Sequence, residues 1–134
     1  MEQKGMDVST FQGEIDWEKV KAAGIEFAMV RAGFGKDAGQ TDAQFARNMA
    51  GAAKAGVPVG AYWFSYALSP EAAREEARTA LEVIKPYKLA YPVAYDYEYD
   101  TVRYAEENGV SVTRELATAC CKAFCEELEA AGYL

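Results

Sequence analysis

Four apolar, strand-like runs alternate with four amphipathic helical stretches along this chain, and few architectures absorb such an alternation. The runs cover residues 6–8, 27–32, 57–64 and 92–97, and the helical stretches cover 17–23, 42–55, 70–84 and 113–131. Gly24, Gly56 and Gly132 close three of the helices, while Asp16, Thr41 and Ser69-Pro70 read as helix starts. Consecutive βα units of this kind predict a parallel sheet with right-handed crossovers. The 134 residues make one domain, 1–134. Four units form either a small open sheet or half of an eight-stranded barrel. A full barrel takes about 250 residues, roughly twice this length, so the expected fold is α/β, a truncated β/α (TIM-like) barrel in the form of a half-barrel.

Composition narrows the chemistry. Histidine is absent, which removes Ser-His-Asp triads, Cys-His dyads and histidine-ligated metals together, so acid–base work falls to carboxylates, Tyr, Lys or Cys. No metal and no organic cofactor is expected. A formal net charge of −7 repels nucleic-acid phosphates and offers no basic patch to an anionic membrane, which leaves an uncharged or mixed-charge partner. No apolar run approaches the roughly 20 residues needed to span a bilayer. Met1-Glu2-Gln3-Lys4 lacks the hydrophobic segment of a signal peptide, so any export signal is expected to have been removed or never to have existed. Cys120, Cys121 and Cys125 fall in one helical stretch without metal or disulfide spacing and read as small buried hydrophobes that stay reduced.

The chemistry-bearing stretch is Ala94-Tyr95-Asp96-Tyr97-Glu98. On a strand through residues 92–98, Ala94, Asp96 and Glu98 share one face, and Val93, Tyr95 and Tyr97 share the other as packing residues. A rise of about 3.3 Å per residue sets the two acidic Cα atoms roughly 7 Å apart. Their carboxyl groups then reach the ~5–9 Å separations used in glycoside hydrolysis. Like charges so close raise one pKa, with Glu98 the expected site of the shift. Asp7, in Gly5-Met6-Asp7-Val8-Ser9, faces away from Met6 and Val8 near the end of its own strand. In parallel α/β architectures the C-terminal strand ends carry the chemistry, so three acids from two strands converge on one mouth. Paired acids at strand ends are more often solvated or structural, and Asp7 moves the balance toward catalysis.

Read in order, Asp7-Val8-Ser9 with Gln12-Gly13 and Ile15-Asp16-Trp17, then Phe27-Ala28-Met29-Val30-Arg31-Ala32-Gly33, Gly60-Ala61-Tyr62-Trp63-Phe64-Ser65-Tyr66 and Asp96-Tyr97-Glu98, resemble glycoside hydrolase family 25, the Chalaropsis-type lysozymes. The resemblance runs through essentially the whole chain and corresponds to the N-terminal half of the family's catalytic domain. It implies an extracellular or cell-wall hydrolase that cleaves the β-1,4 bond between N-acetylmuramic acid and N-acetylglucosamine in peptidoglycan, with retention. By motif, Glu98 is the proton donor, Asp96 the partner that stabilises the substrate's own acetamido group, and Asp7 a support in the same site. Tyr62 contacts the sugar, and Tyr66 belongs to the aromatic platform beside it. The alternative is a catalytically silent half-barrel that associates with itself or binds glycan weakly. Open sheet edges at the first and fourth strands lead to the expectation of a dimer.

The remaining features read as structural. Asp16 is a helix cap, Gly33 and Gly35 flank a turn rather than a phosphate loop, and Lys36, Asp37 and Asp42 are solvated loop charges. Tyr62 and Phe64 share one strand face and Trp63 takes the other, under the helices.

Overall fold

Each strand pairs in parallel with the next strand in sequence, giving the order β1-β2-β3-β4. The computed structural model describes residues 2–134. The strands are β1 (Gly5–Val8), β2 (Phe27–Phe34), β3 (Val59–Phe64) and β4 (Val93–Asp96). Between and after them lie α1 (Trp17–Ala22), α2 (Phe45–Ala55), α3 (Pro70–Ile84), α4 (Tyr99–Glu107) and α5 (Arg114–Ala130), with a short 3-10 turn at Thr10–Gln12. A sequential parallel order with right-handed crossovers keeps all helices on one side, whereas a doubly wound sheet reverses order and is covered on both. This is the arrangement of β/α-barrel strands.

Local signals explain most helix boundaries. The Asp16 carboxylate accepts from the Lys19 N–H at 3.2 Å, and the Ser69 hydroxyl accepts from the Ala72 N–H at 3.1 Å with Pro70 in the first turn. Gly56 ends α2 in the left-handed region at φ 77°, where a side chain is disfavoured. Two expectations change. Thr41 does not start α2, because it forms a bridge with Gly33 and the helix begins at Phe45 behind Gln44. A fifth helix, α4, fills the stretch after β4; only Thr101 and Ala105 of it are buried, too narrow an apolar stripe to read as a helix.

Strand alternation divides the sheet into two unlike faces. Val8, Ala28, Val30, Ala61 and Trp63 point toward the helices and are buried with Phe45, Met49, Ala77, Ile84 and Phe124. Alanines at the sheet–helix contact let the backbones approach closely. The opposite face has no helix over it. There, large residues of β2 lie over glycines of its neighbours: a Cβ on Gly5 would sit 2.2 Å from the Phe27 ring, and one on Gly60 2.5 Å from the Pro92 carbonyl and 2.7 Å from the Met29 sulfur. Phe27 also stacks on Tyr91, with centroids 4.8 Å apart. The outer edge of β4 is partly met, since the Val93 N–H donates to the Leu134 carbonyl at 3.0 Å. Among the described residues, no helix is long and apolar enough to cross a membrane.

Trp63 ties this core to the mouth of the sheet: its ring is buried, and its indole N–H donates to the Gly35 carbonyl at 2.8 Å. Trp63→Ala is expected to cost about 3–5 kcal/mol, read as a lower urea midpoint with an unchanged slope. A loss below about 1 kcal/mol would contradict the placement of Trp63 in the core.

Candidate active site

The uncovered face of the sheet ends in an acidic cleft. Asp7, Tyr62, Tyr66, Asp96 and Glu98, the five site residues named from sequence, all line one cavity of about 340 Å³. Below it, a second cavity of about 400 Å³ is bordered by the same Asp7, Tyr62, Asp96 and Glu98 and opens along the bare inner face toward Met29 and Ala94. The strand carrying the acids stops at Asp96, not at Glu98. Glu98 is instead the N-cap of α4, yet its backbone stays extended at φ −140° and ψ −164°, and it lines the cleft with Asp96. Tyr95 and Tyr97 behave as expected, Tyr95 stacking on Phe124 at 4.0 Å on the helix side.

The cleft also holds residues that the motif reading left without roles. A bulge between Arg31 and Gly33 shifts the register of β2 against β3, so that Arg31 pairs with Tyr62 and Phe34 with Phe64. Without the extra residue, positions three apart would face opposite ways. With it, the Arg31 guanidinium lies 5.4 Å from the Phe34 ring and 5.2 Å from the Phe11 ring. Asp42 holds that guanidinium, its Oδ2 at 2.8 Å from Arg31 Nε. The Asp42 carboxylate also accepts from the Thr10 N–H at 3.0 Å and the Gln44 N–H at 2.9 Å. Asp42 is therefore a buried anchor and not a solvated charge, which corrects the sequence reading. Its signal was Arg31, a lone cation inside an apolar strand, which needs a partner.

Aromatic residues frame the opening. Phe11 is 82% exposed at the rim, on the turn that Ser9 and Gln12 fix by mutual capping. Tyr66 packs against Phe64 and Tyr104, each with centroids 5.1 Å away, and separates the acid cleft from a larger cavity of about 490 Å³. None of Asp7, Asp96 and Glu98 lines the larger cavity, so convergence of the acids rather than volume marks the site. The cysteines lie elsewhere. Cys120 is buried, which pushes its thiol up to about 11, but Cys125 is exposed, contrary to the expectation that all three are core residues. Among the described residues, no three His, Cys, Asp or Glu side chains are arranged to hold a metal ion.

Electrostatics gives the acids different properties. Burial is the first cause raising the Asp96 carboxyl above its ordinary value. The charge of Glu98, a hydrogen bond shared with it, and the charge of Asp7 push the same way, and Arg31 opposes them. The crowding of the two acids led to the expectation of a shift on Glu98; in the structure, burial first of all raises Asp96. The Tyr62 hydroxyl is also raised, by burial first, with Arg31 opposing and Asp7 and Asp96 adding.

A raised folded-state pKa means that the folded chain holds the Asp96 proton more tightly than the unfolded chain does. Stability from this group is therefore present at low pH and is lost as pH rises through the ordinary carboxylate range to the raised value. Asp96→Asn, which imitates the protonated acid, is expected to melt higher than the native chain at about pH 7 and to lose that advantage at about pH 3. A lower melting temperature at neutral pH would contradict the crowding of these acids.

The pattern of glycosyl hydrolases family 25 matches residues 6–133. Lysozyme M1 of Streptomyces globisporus is 42% identical over 62 residues, covering 46% of this chain and 20% of that protein. Among solved structures, the family 25 glycosyl hydrolase from Bacillus anthracis is similar with a TM-score of 0.79 and 30% identity, over 97% of this chain and 56% of that one. The modular autolysin LytC from Streptococcus pneumoniae, also solved in complex with a synthetic peptidoglycan ligand, is similar with a TM-score of 0.81 and 26% identity, over 98% of this chain and 31% of that one. This chain thus spans between a fifth and just over half the length of these relatives. With the family pattern running through nearly every residue and its architecture recurring in a solved family member, the chain belongs to glycosyl hydrolases family 25.

Proposed function

We propose that this chain carries the acid cluster of a peptidoglycan hydrolase acting at the cell wall, one that cleaves the β-1,4 bond between N-acetylmuramic acid and N-acetylglucosamine with retention. The observation that supports this most is the meeting of Asp7, Asp96 and Glu98 with Tyr62 in one cleft at the C-terminal end of a parallel sheet. Glu98 gives its proton to the glycosidic oxygen as the bond to C1 breaks. The carbonyl oxygen of the substrate's 2-acetamido group closes onto C1, and the acetamido N–H becomes acidic as positive charge spreads to it. Asp96 accepts from that N–H, a task suited to a carboxylate with raised proton affinity. Water then attacks C1 from the face the leaving group left, breaking the bond from C1 to the acetamido oxygen, giving its proton to Glu98 and restoring the original configuration. Tyr62 orients the acetamido group, and Tyr66 and Phe11 offer ring faces to the apolar C–H faces of neighbouring sugars. Asp7 supports the site from β1.

Glu98→Gln keeps the shape of the side chain and removes the proton. It is expected to lower the rate of turbidity loss in cell-wall suspensions by about 10²–10⁴-fold, and unchanged lysis would overturn the assignment.

The bare inner face favours a companion proposal about assembly. Parallel sheets are covered on both faces, and this one is covered on one. Phe27 and Met29 on the uncovered face, together with the β1 edge, fit a second copy of this chain related by a two-fold axis. Light scattering at micromolar concentration is expected to give twice the 14.7 kDa chain mass. A stable monomer would contradict this assembly.

A further inference from the structure

We propose that Glu76, which does not border the acid cleft, is a positioning residue for both Asp96 and Glu98 and acts on them through Ser65. The proposal rests on the assignment of those two acids as the reacting pair.

Glu76 is 1% exposed and sits on α3, on a helix face otherwise made of Ala73, Ala77, Ala80 and Ile84. Burial raises its carboxyl above the usual range. A carboxylate is costly in such a place unless several donors converge on it, and three do. Its Oε1 accepts from the Ser65 hydroxyl at 3.0 Å and from the Tyr95 hydroxyl, and its Oε2 accepts from the Tyr66 N–H at 2.8 Å. Two of these donors are consecutive residues just beyond β3, so one carboxylate fixes the path of the chain as it leaves the sheet.

Ser65 passes that constraint to both acids. Its N–H donates to the Asp96 carbonyl at 2.9 Å. Its own carbonyl accepts from the buried Thr101 hydroxyl at 2.9 Å, and the Thr101 oxygen accepts from the Glu98 N–H at 3.2 Å. Asp96 is thus held one hydrogen bond from Ser65, and Glu98 two. Tyr95 braces the same point from behind, stacked on Phe124 of α5. An apolar residue at position 76 would fill the space but remove the acceptor shared by the Ser65 hydroxyl, the Tyr95 hydroxyl and the Tyr66 N–H. Because reacting groups lose rate steeply with displacement of about 1 Å, a buried anchor at this junction governs geometry in the cleft without touching substrate.

The test uses Glu76→Gln, nearly isosteric, whose amide sets an N–H₂ against one of the three donors, and Ser65→Ala, which cuts the same link from the other end. Lysis kinetics are measured beside carboxyl titration of Asp96 and the amide chemical shift of Glu98 by NMR. Both variants are expected to lower kcat about 10–100-fold with KM within about twofold, to displace the Asp96 midpoint and to move the Glu98 amide. A merely structural Glu76 would lower the melting temperature and leave the midpoint, the amide and kcat at native values; that result in either folded variant overturns the proposal. If Glu98→Gln lyses as the native chain does, the glycosidase assignment fails by itself. The Asp96 midpoint and Glu98 amide then still decide the role of Glu76, displaced values upholding the coupling and native values refuting it.

Discussion

Everything in this molecule depends on the two-residue alternation of four parallel strands held in one register. The period sends alanine, valine and tryptophan to the helix side, where burial of apolar surface stabilises the fold. It sends Asp7, Arg31, Tyr62 and Asp96 to the other side, where their desolvation is only partial. A slip of one residue in any strand would exchange the two sets, burying charge and exposing core. Register is therefore enforced by the core, and the cleft inherits its geometry from packing on the far side of the sheet. The β2 bulge refines this scheme by bringing Arg31 and Phe34 to the same mouth.

Charge in the cleft is arranged against stability. Four carboxylates, Asp7, Asp96, Glu98 and Asp100, share a space in which Arg31 is the basic residue, and Arg31 is itself bound to a fifth carboxylate, Asp42. Pairing with Asp42 fixes the guanidinium and weakens its pull on Asp96, so the mutual repulsion of the cleft acids survives. The stability lost there is offset by the apolar core and by buried hydrogen bonds at the strand ends. Such local conflict in an otherwise consistent structure is characteristic of reacting sites.

The sequence made the sheet and the acids legible because both rest on local period: apolar runs of strand length, glycine stops, and acids two residues apart. Asp7, Tyr62 and Asp96 lie together because their strand parity is as read, while Tyr66 and Glu98 join them from just beyond the ends of β3 and β4. Asp42 was misread because its burial comes from Arg31, 11 positions away, and from the Thr10 N–H, 32 positions away. Long-range satisfaction of a charge leaves no periodic trace. Helix α4 was missed because it presents two buried residues and owes its place to the end of β4. Nothing in the amphipathic stretch 70–84 set Glu76 apart; its partners, Ser65 and Tyr95, are set by tertiary contact alone. The shift on Asp96 likewise follows from burial, which sequence spacing does not measure.

The central claim is that the acid mouth of the sheet is where this chain meets glycan. A ¹⁵N-labelled sample titrated with a tetrasaccharide of alternating N-acetylglucosamine and N-acetylmuramic acid tests it most directly, since binding is read whether or not the bond is cut. Amide shifts should concentrate at Asp7, Arg31, Tyr62, Asp96 and Glu98, whose side chains line the cleft. Shifts confined to the larger cavity between Lys36, Glu71 and Tyr104, or none at millimolar glycan, would contradict the account.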